Sequence, residues 1–414
     1  MDKLPLRSYE HACSTLQALV SLARVEGVIP ILYASQSCVY PLQVATMSCR
    51  SSRLLTLASK MNKEEIIFGG EDSLKNQILN TYREYRPRVI VVINTCISQL
   101  IGENVSGMLN QMQQEINDCK LTFCNTGFNL PQGMSAGNDF AWASLIEVID
   151  APGHLEEGSI GLVGRSSSDA EKIVSLEIFL KEAGIPFFSF PASHFEEMSR
   201  ISYAETLCPV SVVPYLTCVK ANARFGSATQ YFEIPAGIEG TGSFLKKIAL
   251  LVESKRLLSL IAKKEKEILP LWRKLKKEYA RLMPNILFFF GSGNEFSLAK
   301  ILAELGAHVH VMTGINNEFS IREKEILKQK YKVTFMDTCP STLGDMIEEL
   351  KPDAVFTDMH TQSEAASKHI PVFYNMLYAG EYGYDYALDF ARNFLYFLKN
   401  PVYKKWEKIL KNWS

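Results

Sequence analysis

Short runs of β-branched, aromatic and aliphatic residues alternate along this chain with longer stretches of helical spacing. That alternation constrains the fold more than any other feature. The runs are VIPILY at 28–33, EIIF at 65–68, RVIVVI at 88–93, LTFC at 121–124, SIGLV at 159–163, PFFSF at 186–190, ILFFF at 286–290, AHVHVM at 307–312, KVTFM at 332–336 and DAVFT at 353–357. Nearly continuous apolar runs of this length read as strands covered on both faces, which is the pattern of parallel sheets in α/β proteins. The segment GGEDSLKNQILNTYREY at 69–85 illustrates the repeating unit. Gly69 and Gly70 read as turn residues leaving a strand, acids open the helix where its dipole is positive, and Leu and Ile recur at helical spacing.

A chain of 414 residues is too long for one hydrophobic core. Proline, glycine and polar residues interrupt the alternation at APGHLEEGS (151–159) and RLMPN (281–285). The pattern therefore predicts an α/β protein of three Rossmann-like domains, each a parallel sheet flanked by helices: 1–152, 153–283 and 284–414. Residues 244–281, between the second and third, carry twelve Lys or Arg against four Glu. They read as a connecting helix broken at Pro270, with a solvated basic face or a dock for an acidic partner.

Several function classes lose support at this stage. A net charge of −1 offers no bulk electrostatic case for nucleic acid. The N-terminus lacks a charged-then-apolar leader pattern, and runs such as ILFFF are too short to span a bilayer, so a cytoplasmic protein without membrane association is expected. GSGNE at 291–295 follows a strand as a dinucleotide loop would, but Phe296 stands at the third glycine position and no acid follows the next strand. GIEGTGSF at 237–244 has phosphate-loop glycine spacing, yet Ser243 replaces the lysine. None of the seven histidines forms an i, i+4 pair, His308 and His310 share a strand face where packing is expected, and no GxSxG elbow exists.

Nine cysteines with irregular spacing and no CxxC pair argue against a disulfide framework. Three of them stand where a helix or strand meets a loop: Cys13 in HACSTLQALV, Cys38 in ILYASQSCVYP and Cys96 in VIVVINTCISQLIGENV. Thiolates gathered from three elements of one domain suit an iron–sulfur cluster, because soft sulfur ligands hold iron in place of water. Three is one short of four, so a partner is expected to complete the set. Cys49, Cys119, Cys124 and Cys339 read as ordinary core or surface thiols.

Over essentially the whole chain, the order of motifs resembles the nitrogenase component 1 family: the molybdenum-iron protein subunits, their cofactor-assembly relatives and the dark-operative tetrapyrrole reductases. The resemblance is carried by AC at 12–13, SQSC at 35–38, FGGE at 68–71 and INTCISQLIGENV at 93–105. It continues through GFNLP at 127–131, IPAGIEGTGSFL at 234–245, KPDAVFTD at 351–358 and GYDYALDFARN at 383–393. The resemblance implies that Cys13, Cys38 and Cys96 are ligands of a cluster at a subunit interface, either 4Fe-4S or the larger double cubane. It implies a second component 1 subunit as partner, in a homo- or heterodimer or a heterotetramer, and a P-loop ATPase iron–sulfur reductase as electron donor. It also points to an oxidoreductase or, alternatively, an assembly scaffold carrying a precursor cluster without turnover. Cys208, in YAETLCPVSVV, matches the context of the cysteine that holds a second metal cluster in the nitrogenase α subunit. The segment 373–388, however, has no histidine, with Leu377 near its expected place, and GFNLPQGMSAGND also lacks the histidine of the dinitrogen-reducing pocket.

Overall fold

The computed structural model describes residues 13–47, 55, 57–126, 136–164, 175–289, 291, 293–336, 342–357, 361–374 and 382–400. Three sheets, all parallel, follow one another along the chain. The first has the order β2-β1-β3-β4, from β1 (Val28–Ser35), β2 (Leu57–Met61), β3 (Val89–Asn94) and β4 (Lys120–Cys124). The second is β6-β5-β7-β8, from β5 (Glu156–Val163), β6 (Phe187–Phe190), β7 (Ala204–Pro209) and β8 (Ala228–Thr229). The third is β11-β10-β9-β12-β13, from β9 (Asn285–Phe289), β10 (His308–Met312), β11 (Thr334–Met336), β12 (Ala354–Thr357) and β13 (Val372–Tyr374). Every residue of β1 and β3 is buried, as expected for central strands with helices on both faces.

Helices of the first unit are α1 (Ser14–Ala23), α2 (Gln36–Met47), α3 (Lys63–Phe68), α4 (Glu71–Tyr85), α5 (Cys96–Ile101), α6 (Val105–Gln113) and α7 (Ala136–Ile146). Around the second sheet lie α8 (Ser175–Ala183), α9 (Phe195–Ser199) and α10 (Tyr215–Phe225), followed by α11 (Gly237–Leu251) and α12 (Lys255–Leu282). The third unit adds α13 (Asn294–Glu304), α14 (Glu318–Tyr331), α15 (Leu343–Leu350), α16 (Gln362–Ser367) and α17 (Tyr384–Lys399). One apolar cluster runs through all three sheets, from Leu19 and Leu32 through Leu162 and Leu207 to Phe288 and Phe356. The units are therefore packed on one another.

Two local expectations are corrected. EIIF at 65–68 is the end of helix α3, and the strand lies earlier, at Leu57–Met61. Asn62 and Glu65 close a capping box that fixes the helix start, and this local signal outweighs a short apolar run whose Ile67 and Phe68 stay exposed. Gly69 and Gly70 consequently join two helices and leave no strand. Nor does Pro270 break the basic helix, which continues to Leu282; the interruption falls at 252–254, where Glu253 takes a positive φ. Pro270 is exposed, a position at which solvent can reach the carbonyl that its missing N–H would have met.

Candidate metal centre

Cys38 and Cys96 leave the carboxyl ends of neighbouring strands. β1 and β3 pair in parallel with Tyr33 opposite Asn94. Beyond them Cys38 lies in the first turn of α2, and Cys96 is the first residue of α5. Strand order reverses between β1 and β3, which opens a crevice at the carboxyl edge of a parallel sheet. Cys13, the cap residue of α1, reaches the same edge through a polar girdle at the end of β4. There Ser14 Oγ donates to the Thr126 carbonyl at 2.9 Å, and the Thr15 and Thr126 hydroxyls meet at 2.8 Å. The Thr126 N–H donates to Asn94 Oδ1 at 2.6 Å and its hydroxyl to the Asn94 carbonyl at 2.7 Å. The start of α1 is thus tied to the strand end that leads into Cys96.

The three thiols sense one another. Burial, and then the neighbouring Cys13 and Cys96, push the Cys38 thiol up to about 11. Burial and then Cys13 also raise that of Cys96. Cys13 and Cys38 are half-buried and Cys96 is exposed. Among the described residues no three or more His, Cys, Asp or Glu side chains close on a single ion. Burial, and then the neighbouring cysteines, favour the protonated form of Cys38 and Cys96 in the metal-free protein. A soft cation that replaces those protons removes both penalties.

Cys208 is placed elsewhere. It lies on β7, wholly buried in the apolar core, and burial alone pushes its thiol up to about 12. Its electrostatic neighbour is Cys218 on α10, raised by burial, then by Asp139 and Cys208. Cys119 and Cys124 are buried on and beside β4, while Cys49, Cys339, Leu377 and residues 127–135 lie outside the described residues.

The two glycine-rich segments already hold anions of their own. Glu304 accepts from the N–H groups of Ile238 at 2.8 Å and of Glu239 and Gly240 at 3.2 Å, so a protein carboxylate occupies the start of α11. At 291–295, Glu295 accepts from the Gly293 N–H at 2.8 Å and from the Thr313 hydroxyl at 2.6 Å. At these positions a protein carboxylate takes backbone donors that a phosphate would need.

Sequence reasoning passed over two kinds of residue near the cysteines. Tyr33 and Glu103 join several backbone segments behind the crevice, and a rim of exposed apolar side chains flanks it: Tyr40 on α2, Ile67 and Phe68 on α3, and Leu100 on α5. Phe68 is 85% exposed and Leu100 70%. Glu103 was visible as the acid after LIG in INTCISQLIGENV, and the rim as apolar residues at positions where an amphipathic helix should be polar.

The profile of nitrogenase component 1 type oxidoreductases matches residues 13–398. The nitrogenase molybdenum-iron protein beta chain of Methanococcus maripaludis (strain DSM 14266) is 20% identical over 353 residues, covering 77% of this chain and 75% of that one. The corresponding beta chain of Crocosphaera subtropica is 28% identical over 104 residues, 25% of this chain, and there the match spans only 20% of that protein's length. Among solved structures, nitrogenase Cp1 at pH 6.5 superposes with a TM-score of 0.76 at 15% identity, over 92% of this chain and 90% of that one. The fold expected from the alternation of strands and helices is therefore the fold of that structure. Among the described residues no helix is long and apolar enough to cross a membrane.

Proposed function

The chain belongs to the nitrogenase component 1 type oxidoreductases, and from that membership we propose that it is an electron-transferring subunit of a nitrogenase-like reductase. Cys13, Cys38 and Cys96 hold an iron–sulfur cluster, 4Fe-4S or the larger double cubane, where this chain meets a second component 1 subunit. A P-loop ATPase iron–sulfur reductase supplies the electrons. The observation that carries this reading is the grouping of three interacting thiols, one ligand short, in a crevice rimmed by Tyr40, Ile67, Phe68 and Leu100. A bound cluster supplies one-electron transfer. The chain supplies three thiolates from separate elements, partial burial that limits water, and an apolar rim for the subunit that brings the remaining ligation.

Anaerobic reconstitution of the purified protein should yield stoichiometric iron and sulfide with a visible charge-transfer band and an EPR signal. Cys38→Ala and Cys96→Ala should each lose most of that iron. Unchanged iron content and signal in both variants would overturn the assignment.

The sealed position of Cys208 favours a second reading for the rest of the molecule. In it Cys208 is a packed core thiol, its proton held by burial, and the chain carries no second metal cluster. On this reading the chain is an assembly scaffold that carries a precursor cluster and passes it on without turnover. Substrate reduction with the reductase and ATP separates the two: an electron-transferring subunit turns over, whereas a scaffold transfers metal and reduces nothing efficiently.

A further inference from the structure

We propose that Glu103 and Tyr33 are a positioning pair that fixes Cys96 relative to the other two thiols; this rests on the cluster reading above and deepens it. The six-residue helix α5 is too short to hold its own geometry. Its start is tied down by Thr95, whose hydroxyl donates to the Tyr33 carbonyl at 3.1 Å and whose N–H donates to Ser98 Oγ at 2.8 Å. Its far end runs through Gly102 into Glu103. There the Tyr33 hydroxyl donates to Glu103 Oε2 and accepts from the Gly70 N–H at 3.1 Å. Glu103 Oε1 in turn accepts from the Glu71 N–H at 3.2 Å, at the start of α4. One tyrosine on β1 therefore contacts both ends of the Cys96 helix, through its carbonyl and through its phenol. The same strand runs three residues on to Cys38 from its last residue, Ser35.

The two glycines of FGGE are shaped by this pair. A Cβ on Gly69, whose φ is +100°, would stand 2.5 Å from Glu103 Oε1, and one on Gly70 would stand 2.9 Å from the Tyr33 hydroxyl. The acid is needed for its two acceptor oxygens, which meet the phenol and the Glu71 N–H together. Glutamine offers one acceptor and turns an NH₂ toward the other donor, and aspartate is a methylene too short to span both. Burial, then the hydrogen bond and charge of Glu103, hold the Tyr33 phenol well above its ordinary range, so it stays a donor.

Glu103→Gln and Tyr33→Phe test the pair with two readouts that a general packing role would not move. In the metal-free protein, alkylation of Cys96 by iodoacetamide should accelerate at least threefold in both variants while that of Cys13 stays unchanged. In the anaerobically reconstituted protein, iron content should stay near the wild-type value while the EPR signal shifts or broadens. Tyr33→Phe removes only a hydroxyl and so keeps the test open if Glu103→Gln fails to fold. Folded variants with wild-type Cys96 alkylation and a wild-type EPR signal would overturn the proposal. If the wild type takes up no iron, the cluster reading fails, and the alkylation arm still decides whether the pair positions Cys96.

Discussion

Glu103 and Glu304 perform the same local task in opposite surroundings. Each carboxylate accepts from backbone N–H at the start of a helix, one group for Glu103 and three for Glu304, and each is approached by a glycine whose missing Cβ leaves room for it. Glu103 sits half-buried behind the cysteine crevice, where water shares its charge. Glu304 is 2% exposed, at the seam between α11 and α13. There burial outweighs the nearby Lys300 and the three N–H donors, and pushes the carboxyl up to about 7. A glycine-rich helix start is thus an anion seat in both places, but only the wet one can adjust cheaply. The dry seat joins α11 to α13, while the wet one ties the end of α5 to the start of α4.

The largest test of that contrast lies beside the dry seat. Lys300 is wholly buried, with Nζ 2.9 Å from the Ile234 carbonyl, 3.2 Å from Glu233 and 3.4 Å from Glu323. Burial raises Glu323 above its usual range despite this lysine, whereas Lys300 and its neighbours overcome burial and bring Glu233 below it. Lys300→Met should leave both carboxylates without their buried counter-ion and cost about 3–5 kcal/mol in a urea unfolding titration. Lys75→Met, which removes the half-exposed partner of the exposed Glu71, should leave the urea midpoint essentially where it was. Equal losses from the two variants would erase the distinction between dry and wet charge.

A second test uses pH. Burial lifts Glu304 to about 7 and Asp139 to about 6, the latter against opposing hydrogen bonds from Thr217 and Leu216. In both cases the folded chain holds the proton more tightly than the unfolded chain does. Their contribution to stability is therefore complete below the unfolded carboxylate range and is lost as pH rises through about 6 and 7. The loss should be on the order of 3 kcal/mol for each group. Wild-type unfolding free energy should fall from about pH 4 to about pH 7, with the raised Glu323 adding to the fall, and Glu304→Gln should remove much of the part above about pH 6. Glu233, held low, acts below this window and does not mask it. A Glu304→Gln variant with the wild-type slope would show that the dry seat does not titrate there.

Much of this arrangement could be read from the chain, and the parts that could not share a cause. Strands such as VIVVI and ILFFF declare themselves because central parallel strands are apolar on both faces. Strand β7 hides in AETLCP, β8 is two residues long, and β13 is only VFY, so their pairing comes from the sheet and not from local pattern. The three cysteines are legible because thiol chemistry is rare enough to stand out. Glu103, Glu304, Asp139 and Lys300 are not, since each looks like a surface charge until the fold brings a distant helix start or counter-charge to it. Asp139 on α7 shows the difficulty: its carboxylate accepts from Leu216 at 2.7 Å and Thr217 at 2.9 Å, at the start of a helix 77 residues later in the chain.

The smallest expected change in stability belongs to the rim of the cysteine crevice, where the contrast with the dry seam is sharpest. Phe68 and Leu100 are 85% and 70% exposed, so replacing them with serine removes almost no buried apolar area from the folded chain. The double variant Phe68→Ser, Leu100→Ser should therefore unfold within about 0.5 kcal/mol of the wild type. Its effect should appear in association instead. On the proposed reading, apolar side chains held in water beside the three thiols gain when a second chain covers them, at about 25 cal/mol per Å² of apolar area removed from water. Sedimentation velocity on the anaerobically reconstituted protein should show the wild type associating as concentration rises and the double variant associating more weakly, with iron content falling in step. Unchanged association would mean that the contact lies elsewhere, and the rim of Phe68 and Leu100 would lose its place in the proposed subunit interface.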